Sequence, residues 1–195
     1  MPVLCSDMSF PGPTPIYIIW EIRRMMITYE HLTEITPEIS ELYASAFSEI
    51  EKVPEENLLR TFGRGGKLIG YYDDGEFIGF TFSFSDEDRT FWVYFATSPE
   101  RRSMGYGSRI IPILREILKG QRIFLVIEPR DPDAEDIDIR VRRHDFYIRS
   151  GCSDSGCQVI SDDAWFDTMF VQGELTEMEM RDTVRLYEDI HNGRS

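Results

Sequence analysis

The chain is short of several residue types and features, and each shortage removes a class of protein. Cysteine stands only at Cys5, Cys152 and Cys157. That odd count, with no histidine beside Cys152 or Cys157, fits neither a disulfide framework nor a tetrahedral metal site. His31, His144 and His191 are scattered with no partner at catalytic or ligand spacing, so they read as surface or packing residues, and no metal is expected. No apolar run nears the roughly 20 residues that cross a bilayer. The run Ile16 to Trp20 is too short and wrongly flanked for a secretory signal. Basic residues are scarce too: 21 Lys and Arg face 35 Asp and Glu, for a net charge of -14. Such a surplus opposes the counterion release that drives nucleic-acid binding. The expectation is a cytoplasmic chain with no nucleic-acid or membrane partner, whose acidity serves solubility or draws in a cationic substrate.

What is present suits one folded domain. A 195-residue chain with 42% hydrophobic residues can bury one sizeable core. Residues 1–25 differ from the rest, with Pro11, Pro13 and Pro15 alternating with small residues ahead of Arg23, Arg24, Met25 and Met26. They read as an extension: a mobile arm, an added edge strand, or the result of a start placed ahead of a working Met25 or Met26. Residues 26–195 form the domain proper.

The domain opens on a short strand near Met26 to Tyr29. Thr36 then offers an N-cap and Pro37 a first helical residue, with Ile39, Leu42, Tyr43, Ala46 and Phe47 at helical spacing. Pro54 starts a second helix carrying Leu58, Leu59 and Phe62 on one side until Gly63 to Gly66 stop it. Lys67 to Tyr72 and Glu76 to Ser85 form a hairpin about Asp74-Gly75, a pair that supplies the positive φ angles of a tight turn. Thr90 to Thr97 is a third strand, followed by a glycine turn and a helix to about Lys119. Arg122 to Ile127 is a strand stopped at Glu128-Pro129. A helix from Ile137 to Ser150, strands near Cys157 to Ile160 and Ala164 to Val171, and a last helix complete the order. That last helix has a capping box at Thr176 and Glu179, a staple of Leu175 and Met180, and an inner face of Met180, Val184 and Tyr187. No internal repeat is present. The fold class expected is α/β (α+β): a mixed, mostly antiparallel central sheet flanked by helices.

A strand that ends in a glycine turn and opens a helix aims unpaired backbone N–H groups and the positive end of the helix dipole at one point, where anions bind. Gly105 and Gly107 would let a pyrophosphate approach the backbone of Met104, Gly105, Tyr106, Gly107 and Ser108, and Arg102 adds a positive charge. Two nucleotide motifs fail on spacing. Thr61 and Leu68 break a Walker A pattern around Gly66-Lys67, and Ile110 stands where the dinucleotide fingerprint needs glycine.

The stretch Phe95-Ala96-Thr97-Ser98-Pro99-Glu100-Arg101-Arg102-Ser103-Met104-Gly105-Tyr106-Gly107 resembles motif A of the GNAT superfamily of N-acetyltransferases. A second block, Arg142 to Gly151, is similar to the family segment in which a tyrosine faces the thioester sulfur. The resemblance in element order covers about Met26 to Tyr187. It implies a GNAT-like acyl-CoA N-acyltransferase fold, with acetyl-CoA as co-substrate. Its pantetheine arm would lie along Phe95, Ala96 and Thr97, and its pyrophosphate on Arg102, Ser103, Met104, Gly105, Tyr106, Gly107 and Ser108. It further implies that backbone N–H groups near Phe95 and Ala96 polarise the carbonyl and that Tyr147 protonates the departing thiolate. Two residues depart from the pattern: Cys152 replaces a phenylalanine, which touches packing only, and Pro112 sits inside the helix, predicting a kink or a late start.

Glu128, at the C-terminal end of its strand beside the cleft, is the candidate base, acting through water. The reaction expected is direct attack by a primary amine of a small molecule or peptide. The alternative is a non-catalytic acyl-CoA-binding or sensor module that contacts a protein partner. A homodimer is compatible with either, and the acceptor is not legible.

Overall fold

The computed structural model describes residues 27–48, 51–161 and 164–194; the extension at 1–25 and Cys5 lie outside them. Among the described residues seven strands make one sheet: β1 (Thr28–Leu32), β2 (Gly66–Asp73), β3 (Glu76–Asp86), β4 (Arg89–Thr97), β5 (Arg122–Ile127), β6 (Ser153–Ser161) and β7 (Ala164–Gln172). Their spatial order is β1-β2-β3-β4-β5-β7-β6. Every neighbouring pair is antiparallel except β4 and β5, which run parallel. The helices among the described residues are α1 (Pro37–Ala46), α2 (Glu55–Leu59), α3 (Tyr106–Ile117), α4 (Ile137–Arg149) and α5 (Glu177–His191), with a 3-10 turn at Pro99–Arg101. The expected fold class holds.

Strand alternation feeds two cores, one on each face of the sheet. On one face Phe80, Phe82, Phe84, Phe91, Tyr94 and Phe124 pack under α1 and α5. Phe91 and Phe124 stack at 5.2 Å, and the ring of Tyr187 from α5 meets Phe91 edge-on at 5.7 Å. On the other face Ile69, Tyr71, Ile78, Trp92, Ile123 and Leu125 pack against Ile110, Ile111 and Leu114 of α3. The hairpin between β2 and β3 has positive φ at both Asp74 and Gly75, as the Asp-Gly pair requires.

Some boundaries differ from the sequence reading. β1 lies at Thr28–Leu32 rather than Met26 to Tyr29; it is an edge strand held by backbone pairing to β2, so its mostly exposed side chains carry no burial pattern. α2 ends at Leu59, which is exposed, while Phe62 stacks on Phe82 from beyond the helix. β6 begins at Ser153, ahead of its apolar residues, because the register with β7 breaks between Asp154 and Gln158 and resumes beyond. α3 runs unbroken through Pro112 from Tyr106 rather than starting late. Pro112 and Ser108, whose carbonyl loses its amide partner there, are both exposed, so water can satisfy it.

One end of the β4–β5 pair is tied shut. Arg122, first in β5, donates to Asp88 in the β3–β4 turn at 2.8 and 3.0 Å and to Glu179 in the first turn of α5 at 2.8 Å. Glu179 also completes the capping box, accepting from the Thr176 amide at 2.8 Å. The hydrogen bond from Arg122, then those from Thr176, hold the Glu179 carboxyl down at about 2 from an ordinary value of 4.5. Its charged form is therefore the stabilising one. That contribution is complete above the ordinary carboxylate range and is lost as pH falls toward 2. Glu179→Gln keeps the cap but not the charge. In thermal unfolding followed by circular dichroism, the variant should melt below the parent at pH 6 to 7, with the gap closing between about pH 4.5 and 2. A gap independent of pH would remove the Arg122 ion pair as its cause.

Candidate active site

Parallel pairing between β4 and β5 covers only Arg89 to Trp92 against Arg122 to Leu125. Beyond it the strands part. The cause is in β4: Ser83 pairs with Trp92 and Phe82 with Tyr94, so Val93 is an extra residue. This bulge puts Val93 and Tyr94 toward the same core while Trp92 and Phe95 face the other, and a bulge bends and twists its strand. The Trp92 indole donates to the Tyr94 carbonyl at 3.1 Å, satisfying an acceptor in the parted segment.

The parting opens a cavity of about 200 Å³. Its lining comes from both helical layers: Ala46, Phe47 and Tyr187 from one side, Arg143 and Tyr147 from the other, with Val93 to Phe95 and Val126 to Glu128 as the two parted strands. A more open hollow of about 610 Å³ lies along the β6–β7 edge, but it holds none of the candidate catalytic or cofactor-binding residues named from sequence. Its Arg181 is already paired with Glu177 at 2.6 Å.

The glycine turn lies at the end of β4. Gly105 has φ 78 and precedes Tyr106, the first residue of α3. The first backbone bond there runs from the Arg109 amide to the Gly105 carbonyl at 3.3 Å. The amides of Tyr106, Gly107 and Ser108 therefore have no intrahelical acceptor. Ser103, with φ 62, holds the left-handed backbone that β-carbon-bearing residues rarely adopt. Arg102, Ser103, Met104, Gly105 and Ser108 are exposed. Arg102 makes no ion pair among the described residues, whereas Arg101 pairs with Glu76. The side chain of Tyr106 is buried in the core and donates to Asp73, so only its backbone faces out. Free amides together with an exposed, unspent arginine fit a phosphate group.

Gly107 is needed for a reason the sequence does not show. A Cβ there would sit 2.9 Å from the Phe146 ring. Phe146 stacks on Phe95 at 6.4 Å and meets Tyr147 at 5.1 Å, so the turn, the end of β4 and α4 share one aromatic contact. Ala96 is buried with its side chain in the core, and Thr97 ends β4 opposite Gly79.

Tyr147 and Glu128 both line the cavity. Tyr147 packs edge-on to Trp92 at 6.0 Å. Its hydroxyl makes no hydrogen bond among the described residues. Burial pushes its ionisation well above the ordinary value near 10, with the Arg143 guanidinium working in the other direction. Glu128, the candidate base, ends its strand in an ion pair: Arg143 donates to it. Arg143 also lies 3.7 Å from Glu51, another lining residue. Arg143, Glu51 and the bulge at Val93 escaped the sequence reading. Arg143 and Glu128 are 15 positions apart, and Glu51 is far from both, so no spacing links them.

Two anchors hold α4 in place. Arg115 of α3 donates to the carbonyls of Ser150 and Gly151 at 3.1 and 2.9 Å, satisfying the C-terminal end of the helix. His144 is buried between Arg130, 3.2 Å from Nδ1, and Asp154, 2.9 Å from Nε2. A guanidinium only donates, so Nδ1 accepts and Nε2–H donates to Asp154. His144 is a packing residue with assigned partners. Cys152, buried beside Arg115, serves packing, and burial pushes its thiol up.

Among the described residues no cluster of His, Cys, Asp and Glu could hold a metal ion, and no helix is long and apolar enough to cross a membrane. A model of the acetyltransferase (GNAT) family matches residues 36–137, slightly more than half the chain. The match includes the glycine turn and Glu128 and stops short of Tyr147. A structure described as a GNAT-family acetyltransferase from Bacteroides thetaiotaomicron is 24% identical, with 85% of this chain and 96% of that one covered at a TM-score of 0.63. The ribosomal-protein-S18-alanine N-acetyltransferase of Escherichia coli is 12% identical over 77% of this chain and 97% of that one, at 0.52. A Bacillus subtilis acetyltransferase in complex with CoA is 11% identical over 76% of this chain and 100% of that one, at 0.53. These likenesses are in fold. No curated protein matches the sequence.

The Gly107 contact is testable without any ligand. Gly107→Ala should destabilise the fold by about 1–3 kcal/mol, the usual cost of overpacking. In a Phe146→Leu background the same change should cost much less. Urea unfolding of all four proteins measures the coupling, and additive costs would mean that the ring does not set the need for glycine.

Proposed function

This chain belongs to the GNAT acetyltransferase family, and from that membership we propose that it passes the acetyl group of acetyl-CoA to a primary amine of a small molecule or peptide by direct attack. The observation that carries this reading is the cavity at the β4–β5 parting. It brings Tyr147 and Glu128 to one space, beside the strand that leads into the turn with the free amides.

Acetyl-CoA, when bound, supplies an activated acetyl thioester. The amides of Tyr106, Gly107 and Ser108, with Met104, Gly105 and the side chains of Arg102 and Ser103, would hold the pyrophosphate. The backbone of Phe95, Ala96 and Thr97, freed from β5 by the bulge, would pair with the pantetheine amides and polarise the thioester carbonyl.

The amine must lose one proton to attack and a second afterwards. Glu128, oriented by Arg143, takes the first through water. The new C–N bond forms, the C–S bond breaks, and Tyr147 gives its proton to the departing sulfur. The second amine proton returns to Tyr147 through water, which restores the hydroxyl. Burial keeps that hydroxyl protonated across neutral pH, and Arg143 stabilises the transient phenolate.

Tyr147→Phe keeps the ring against Trp92 and Phe146 and removes only the proton donor. Its kcat should fall about 10²- to 10⁴-fold with acetyl-CoA affinity nearly unchanged. Because ionisation of Tyr147 is shifted upward, the parent's kcat should not decline through loss of this proton between about pH 7 and 10. Steady-state thiol release and calorimetry on both proteins check each part. Unchanged kcat would assign the proton to water or another group, and equal losses of kcat and affinity would make Tyr147 a binding residue. Folded protein that binds acetyl-CoA and releases no thiol with any amine would favour a sensor.

A further inference from the structure

We propose that the acceptor is a compact primary amine with an apolar body and no carboxylate, anchored through its ammonium on Glu51; this rests on the acetyl-transfer reading above. Size comes first. A cavity of about 200 Å³, which must also admit the acetyl thioester beside Tyr147, lies below the roughly 300–1,000 Å³ of sites for drug-sized ligands. It suits one ring or a branched alkyl group with a short aminoalkyl arm. The walls suit the same body: Phe47, Phe91, Phe95, Val126 and Phe166 present apolar surface, with polar groups confined to a few places.

Charge then selects the head group. Glu51 and Glu128 bring two negative charges and Arg143 one positive, so the lining carries one unbalanced negative charge. Arg143 is committed to Glu128 and lies farther from Glu51, at 3.7 Å from Oε1. The other oxygen of Glu51, Oε2, accepts from the Ser48 amide at 2.9 Å, which fixes the carboxylate. Oε1 is therefore held in position with only a loose contact. An ammonium there makes a charge-assisted hydrogen bond and completes the charge balance. A carboxylate on the same molecule would add a second unbalanced negative charge, or would have to take Arg143 from Glu128 and leave that half-buried anion unpaired. The pocket therefore selects against free amino acids and in favour of simple apolar amines.

The test uses 2-phenylethylamine, L-phenylalanine, which adds the carboxylate, and ethanolamine, which lacks the apolar body. Calorimetry without acetyl-CoA measures binding, and thiol release with acetyl-CoA measures kcat/KM. On the parent protein 2-phenylethylamine should bind about tenfold or more tightly than either of the others. Glu51→Gln, whose amide oxygen can still accept from Ser48, should weaken that binding about tenfold or more, the scale of a lost charge-assisted hydrogen bond, and leave acetyl-CoA affinity intact. Equal affinity in the Gln variant, or L-phenylalanine binding as well as 2-phenylethylamine, overturns the proposal. Should the variant fail to fold, the three amines on the parent decide the matter alone. Glu51-dependent binding of 2-phenylethylamine without thiol release would uphold this pocket and sink acetyl transfer. Thiol release with ethanolamine, and no binding of 2-phenylethylamine, would do the reverse.

Discussion

The parting of β4 from β5 after Trp92 and Leu125 is the constraint on which the rest of the molecule depends. A parallel pair in mid-sheet would ordinarily close with ladder hydrogen bonds along its length. Here one extra residue, Val93, turns β4 out of register with that ladder, and the sheet acquires a slot lined from both faces. Without the slot Tyr147 and Phe47 would lie on opposite sides of a continuous sheet. With it they line one cavity.

A slot through a sheet needs firm flanks, and the structure provides them at both ends. At the closed end Arg122 gathers Asp88 and Glu179, tying β5 to the β3–β4 turn and to α5. At the open end Arg115 and the Arg130–His144–Asp154 contacts fix α4. Phe146 spans from Gly107 to Phe95 beside Tyr147. Phe91 and Tyr187, packed edge-on, form one wall of the cavity, and Phe124 backs it by stacking on Phe91. Charge is used locally in opposite senses: the chain as a whole is acidic, yet the turn exposes Arg102, while the cavity retains a surplus carboxylate.

Much of this is legible in the sequence. The Asp74-Gly75 hairpin, the capping boxed helix with Leu175 and Met180 buried, and the strand–turn–helix order at Gly105 all rest on contacts within a few residues, which a linear reading captures. Where such local signals were weak, boundaries slipped. β1 has exposed side chains and is held by its backbone, and Leu59 carries the right residue type on the wrong side of a one-turn helix. In sequence Gly107 stands out for the open backbone it offers a ligand, while its closest contact comes from Phe146, 39 positions away.

By itself the sequence determined the element order, the mixed sheet, the strand–turn–helix at Gly105 and the resemblance that singles out Tyr147, because each is written in short-range spacing or in a motif. Only the tertiary structure decided that Glu128 is bound by Arg143, that Glu51 joins them, and that a bulge at Val93 opens the space between them. Those contacts link residues far apart in sequence and separated by whole elements of structure. Their meeting depends on how strands register and where a sheet fails to close, and no periodicity along the chain encodes that.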